Sequence, residues 1–123
     1  RLLDLHQSSS NKLEFCLGTI AEMPGHDVYE TLKHYLSRDA IAYLHLRNVD
    51  GHAPEYRETF IDDGAVDMQH VIRILNEYNY DGLIIPDHTP QMSCEAPWHA
   101  GMAYAMGYIR ALAAAEGGAG GGR

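Results

Sequence analysis

Cys16, His45 and Asp87 each stand at the C-terminal end of a short apolar run. A thiolate, an imidazole and a carboxylate brought together would make a transition-metal site. The runs are Leu13-Glu14-Phe15-Cys16-Leu17-Gly18, Ile41-Ala42-Tyr43-Leu44-His45-Leu46-Arg47-Asn48-Val49 and Gly82-Leu83-Ile84-Ile85-Pro86-Asp87-His88. Their β-branched, aromatic and other apolar residues predict buried strands. Mixed sulfur, nitrogen and oxygen donors suit Mn, Fe(II), Co or Zn rather than Ca or Mg, and donor type alone does not choose among them. Singly, each residue has a plain structural explanation: a buried small apolar Cys16, a satisfied core His45, a turn or capping Asp87. Recurrence at three equivalent strand ends favours the metal site.

Other polar residues gather at the same ends. His45 and Arg47 are two apart and share one face of a strand. Arg47 could grip a substrate carboxylate with both arms of its guanidinium, or pair with Asp62 or Asp63 across the following loop. His88, next to Asp87, suits a general acid or base near neutral pH, or a hydrogen bond to the site. His99 and Tyr104 begin the last helix, where Met102, Ala105 and Ile109 suggest that the tyrosine packs in the core. Cys94 with His88 or His99 could form a nucleophilic pair, but no oxyanion-hole signature accompanies it.

The elements that would position these residues follow from periodicity and punctuation. Residues 1–7 read as the last turns of a helix. Strands are predicted over about 13–17, 41–47 and 82–86. Asp27 caps a helix carrying Val28, Leu32, Tyr35 and Leu36, and Asp67 caps another carrying Val71, Ile74, Leu75 and Tyr78. Residues 18–26, 48–66 and 87–99 read as loops, and a last helix runs from about 100 to 115. The Gly-rich segment 116–123 reads as a flexible tail.

Alternating strands and helices predict an α/β fold with parallel strands. A slice of a (β/α)8 barrel and a small doubly wound sheet both place sites at the C-terminal strand ends. Gly18-Thr19-Ile20-Ala21-Glu22-Met23 lacks a phosphate-binding fingerprint, which disfavours a nucleotide-binding sheet. A barrel takes about 250 residues, so in that reading 1–115 are three βα units from the C-terminal part of a longer protein.

The 123 residues carry a formal net charge of −8, which disfavours nucleic-acid binding. No run approaches the roughly 20 apolar residues of a membrane span, and no signal peptide is evident. Two cysteines do not suggest a disulfide scaffold; free thiols point to the cytoplasm.

Leu13-Glu14-Phe15-Cys16-Leu17-Gly18-Thr19, His45-Leu46-Arg47-Asn48-Val49, Phe60-Ile61-Asp62-Asp63-Gly64 with Asp67-Met68, and Pro86-Asp87-His88 together resemble the C-terminal third of mannonate dehydratases. The resemblance covers residues 1–115 in order. It implies a TIM barrel of the xylose-isomerase-like kind, a hydro-lyase converting D-mannonate to 2-dehydro-3-deoxy-D-gluconate in hexuronate catabolism, and a Mn(II) or Fe(II) ion. It maps metal ligands onto Cys16, His45 and Asp87, with a fourth ligand, a histidine, upstream of Arg1. It maps the catalytic histidine onto His88 and substrate contacts onto Arg47 and Asn48. A homo-oligomer is left open. Family members commonly carry a catalytic tyrosine after the Asp-His pair, and residues 92–99 contain none. Another sugar acid, a sugar isomerase or epimerase on the same barrel, or a non-catalytic sugar-acid-binding relative are therefore the alternatives.

Overall fold

The computed structural model describes residues 2–6 and 8–117. In chain order they form β1 (Leu13–Cys16), α1 (Leu17–Glu22), α2 (Val28–Leu36), β2 (Ile41–His45), β3 (Val49–His52), β4 (Glu55–Glu58), α3 (Met68–Glu77), β5 (Leu83–Ile85) and α4 (Pro97–Gly117). The three predicted strands align in parallel in the order β1-β2-β5, as the alternation of strands and helices required.

Register divides the sheet into two faces. Phe15, Leu44 and Ile84 lie side by side across the strands and turn toward the helices, where Phe15 and Leu44 are buried. The alternate rows, Glu14–Tyr43–Leu83 and Cys16–His45–Ile85, line the other face. Leu83 there is 71% exposed, so one face of a parallel sheet lies open among the described residues. Parallel sheets are ordinarily covered on both faces.

The helices close the covered face. Asp27 Oδ1 accepts from the backbone N–H groups of Tyr29 and Glu30 and starts α2, which buries Val28 and Leu32. Asp67 Oδ1 accepts from His70 N and starts α3, which buries Val71, Ile74 and Leu75 at helical spacing. Asn79, at φ +52°, turns the chain just beyond α3, a backbone conformation that asparagine tolerates. α4 packs against α3 and buries Gly101, Ala105 and Ile109, with Gly101 facing Thr89. Gln69 and Arg73 of α3 both donate to Glu116 near its far end and hold that carboxyl below its usual range.

Several segments differ from expectation. Residues 2–6 form turns and bends rather than helix, with Leu2 and Leu5 exposed. Segment 18–26 is not all loop: α1 starts directly after Cys16 and buries Leu17 and Gly18. Segment 48–66 contains the antiparallel hairpin β3–β4, with Val49 opposite Glu58 and Asp50 paired to Arg57 at 2.9 Å. α4 begins at Pro97 and includes Glu116 and Gly117, so the tail expected from 116 starts later; residues 118–123 lie outside the described residues.

Asn48 secures the hairpin and the loop beyond it. Its Nδ2 donates to the carbonyls of Ile61 and Val66, and its Oδ1 accepts from the N–H groups of Val49 and Val66. A Cβ on Gly64 would lie 2.3 Å from that Oδ1, so glycine is required at this approach. Each stranded buried polar group costs about 1–3 kcal/mol. Asn48→Ala is therefore expected to destabilise the full-length protein by at least ~3 kcal/mol, read as a lower denaturation midpoint at unchanged slope.

Candidate metal centre

Neighbouring register positions put Cys16 and His45 side by side at the ends of β1 and β2. Asp87 follows Ile85 by two residues, and its carboxylate arrives on the same side. One donor atom from each of Cys16, His45 and Asp87 lies within 4.8 Å of the other two. Asp87 Oδ2 is 3.7 Å from His45 Nδ1 and 4.0 Å from Cys16 Sγ. Donors bound to one ion at about 2.0–2.3 Å lie about 3–4.5 Å apart, so little movement separates this cluster from a coordinating one.

Two further observations fit a cation. Asp87 Oδ1 is buried with no hydrogen-bond partner. Nearby, the guanidinium of Arg47 faces Glu22, Glu58 at 3.0 Å and Asp87 at 3.3 Å. One guanidinium cannot neutralise three carboxylates, and the surplus negative charge favours a divalent ion. Burial works against the charge on Arg47, but its bond to Glu22 and the charges of Cys16 and Glu58 outweigh that and push its pKa up.

These contacts show where the two expected substrate-binding residues lie. Arg47 is 8% exposed and already committed, to Glu22, Glu58 and Asp87 rather than to Asp62 or Asp63. Asn48 is buried with both ends of its amide used by backbone groups. The Asn48 amide thus satisfies the backbone around it, and the Arg47 guanidinium lies among carboxylate side chains. A Cβ on Gly18 would fall 2.6 Å from Arg47 Cγ, so the start of α1 is moulded to this arginine.

His88 lies at the edge of the cluster with its side chain more than half exposed. Its Nδ1 is 3.4 Å from Glu58 and its Nε2 is 4.0 Å from Asp87. The ring stands edge-on to Trp98. Tyr104 does not pack in the core as its neighbours suggested. It is exposed, edge-on to Phe60, and donates to Asp62 at 2.6 Å, a bond that raises the pKa of its phenol. Gly101, Ala105 and Ile109 form the buried stripe of α4 instead. Cys94 and His99 are exposed.

Three acidic residues escaped the sequence reading. Glu14 Oε1 sits 3.0 Å from His45 Nδ1, while Glu14 Oε2 accepts from the Tyr43 hydroxyl at 2.6 Å. Its place two residues before Cys16 on one strand face was a readable signal. Glu22 and Glu58 had none, since they arrive on α1 and β4, whose existence was not predicted.

The family model for D-mannonate dehydratase (UxuA) matches residues 1–117. A mannonate dehydratase of Streptococcus pneumoniae (strain 70585) is 34% identical over 90 residues, which cover 72% of this chain and 25% of the relative. One from Lactococcus lactis subsp. cremoris (strain MG1363) is 34% identical over 86 residues, covering 66% of this chain and 24% of the relative. The crystal structure of mannonate dehydratase from Streptococcus suis serotype 2 superposes with a TM-score of 0.84 at 29% identity, covering 98% of this chain and 36% of that one. The chain thus spans about a quarter of the length of the curated relatives it matches. No helix among the described residues is long and apolar enough to cross a membrane.

Proposed function

Since this chain belongs to the D-mannonate dehydratase family, we propose that its three parallel strands are part of a (β/α)8 barrel of the xylose-isomerase-like kind. The full-length protein would be a cytoplasmic hydro-lyase that removes water from D-mannonate to give 2-dehydro-3-deoxy-D-gluconate. The open sheet face supports the barrel, because further strands would enclose it. The observation that carries the activity is the convergence of Cys16, His45 and Asp87 beside His88.

Cys16, His45 and Asp87 would hold a Mn(II) or Fe(II) ion, which when bound supplies Lewis acidity toward the sugar acid. Glu14, 3.0 Å from His45 Nδ1, adds a further carboxylate beside the cluster. Arg47 faces Asp87 Oδ2, the oxygen that also faces His45 and Cys16, and leaves the buried Oδ1 without a hydrogen bond. Dehydration breaks the C2–H and C3–O bonds and forms a C2=C3 enol, which tautomerises to the keto acid; a second group of the full-length protein would take the C2 proton as a general base. His88 Nε2, on the side of Asp87, delivers a proton to the departing C3 hydroxyl so that it leaves as water.

Full-length protein stripped with a chelator is expected to lose activity on D-mannonate. Mn(II) or Fe(II) should restore formation of the 2-keto-3-deoxy acid, and Mg(II) should not. Protein that binds metal yet forms no product with any of these ions would sink the dehydratase reading in favour of a sugar isomerase or epimerase.

A further inference from the structure

The β3–β4 hairpin brings Glu58 to the site from outside the parallel sheet. Glu58 Oε1 lies 3.0 Å from Arg47 Nη1 and 3.4 Å from His88 Nδ1. Its other oxygen is buried and has no hydrogen-bond partner. Arg47 is itself held by Glu22 and Asp87, so Glu58 is fixed in place. His88 is not: its side chain is 56% exposed, and an exposed imidazole samples several rotamers unless a partner holds it. Only one ring nitrogen faces Glu58; the other faces Asp87.

We propose that Glu58 is a positioning residue for His88, receiving Nδ1–H and so aiming Nε2 at the substrate's departing hydroxyl. A carboxylate on one imidazole nitrogen fixes the ring orientation and the tautomer of the neutral ring, and it stabilises the doubly protonated ring whose Nε2–H is the proton delivered to the departing hydroxyl. The hairpin then does more than cover the sheet end. It carries the group that holds the acid, while Arg47 links that group to the ligand Asp87. This inference rests on the dehydratase reading for its kinetic consequences, but not for the Glu58–His88 contact itself.

The test is a double-mutant cycle in the full-length Mn(II)-loaded protein with D-mannonate, using Glu58→Gln, His88→Asn and the pair. Glu58→Gln is nearly isosteric and should lower kcat by about 10–100-fold, with KM within about threefold and metal content unchanged. The double variant should be no slower than His88→Asn alone, because Glu58 acts through the ring that is already gone. Glu58→Asp, which keeps the charge, should recover part of the loss. Multiplicative losses in the double variant, or metal loss in Glu58→Gln, would overturn the proposal by showing a general structural role. A second arm reads imidazole nitrogen shifts of His88 by NMR in metal-free protein. The Nδ1–H tautomer should dominate in wild type and become mixed in Glu58→Gln; an identical pattern in both overturns the contact. Wild-type protein inactive on D-mannonate would defeat the reaction reading alone, and the tautomer arm would still decide whether Glu58 holds His88.

Discussion

His88→Asn is expected to lower turnover of D-mannonate by the full-length protein about 10²–10⁴-fold, the range for removing a positioned general acid or base, while bound metal stays at the wild-type level. The geometry separates these two quantities. His88 lies outside the Cys16-His45-Asp87 cluster, with its Nε2 4.0 Å from Asp87 Oδ2. Its side chain is more than half exposed, so shortening it opens no core cavity. Asparagine can still place an N–H toward Glu58 from the Nδ1 side, but it has no second nitrogen to move a proton. Steady-state kinetics with metal analysis on the same preparation decide the matter. A fall below tenfold would remove His88 from the chemistry. A parallel loss of metal would make it part of the binding site.

Arg47→Met is expected to destabilise the full-length protein by roughly 3–5 kcal/mol, because removing one partner of a buried ion pair strands the other. Here Glu22, Glu58 and Asp87 would lose their shared counter-charge together. Methionine fills much of the volume, so the loss reads the charge rather than a void. Arg47→Lys should recover only part of it, since a point charge on a flexible stem cannot face three carboxylates as a planar fork does. Metal affinity should fall as well, because Asp87 loses its anchor. Chemical denaturation and metal titration of both variants test this. If Arg47 instead bound the substrate carboxylate, Arg47→Met would raise KM and leave the denaturation midpoint in place.

The sequence by itself determined the three strands, their parallel direction and the donors at their ends. It also determined the starts of α2 and α3. Each of these depends on local rules: a short apolar run with period-two faces, and an aspartate whose side chain accepts backbone N–H groups two or three residues on. Tertiary structure decided the rest. α1, six residues long, gives too little periodicity to be read as a helix, and it supplies Glu22. The hairpin is polar and buries only Val49 among its strand residues, so nothing apolar announced it, and it supplies Glu58. Arg47 and Asn48 were expected to contact substrate because a strand end is where substrate contacts occur; their intramolecular partners were not legible. Their partners come from other elements, 11 to 18 residues further along for Glu58, Ile61 and Val66. A buried polar group is committed by whatever folds over it, and that depends on distant chain closing around it rather than on its own neighbours in sequence.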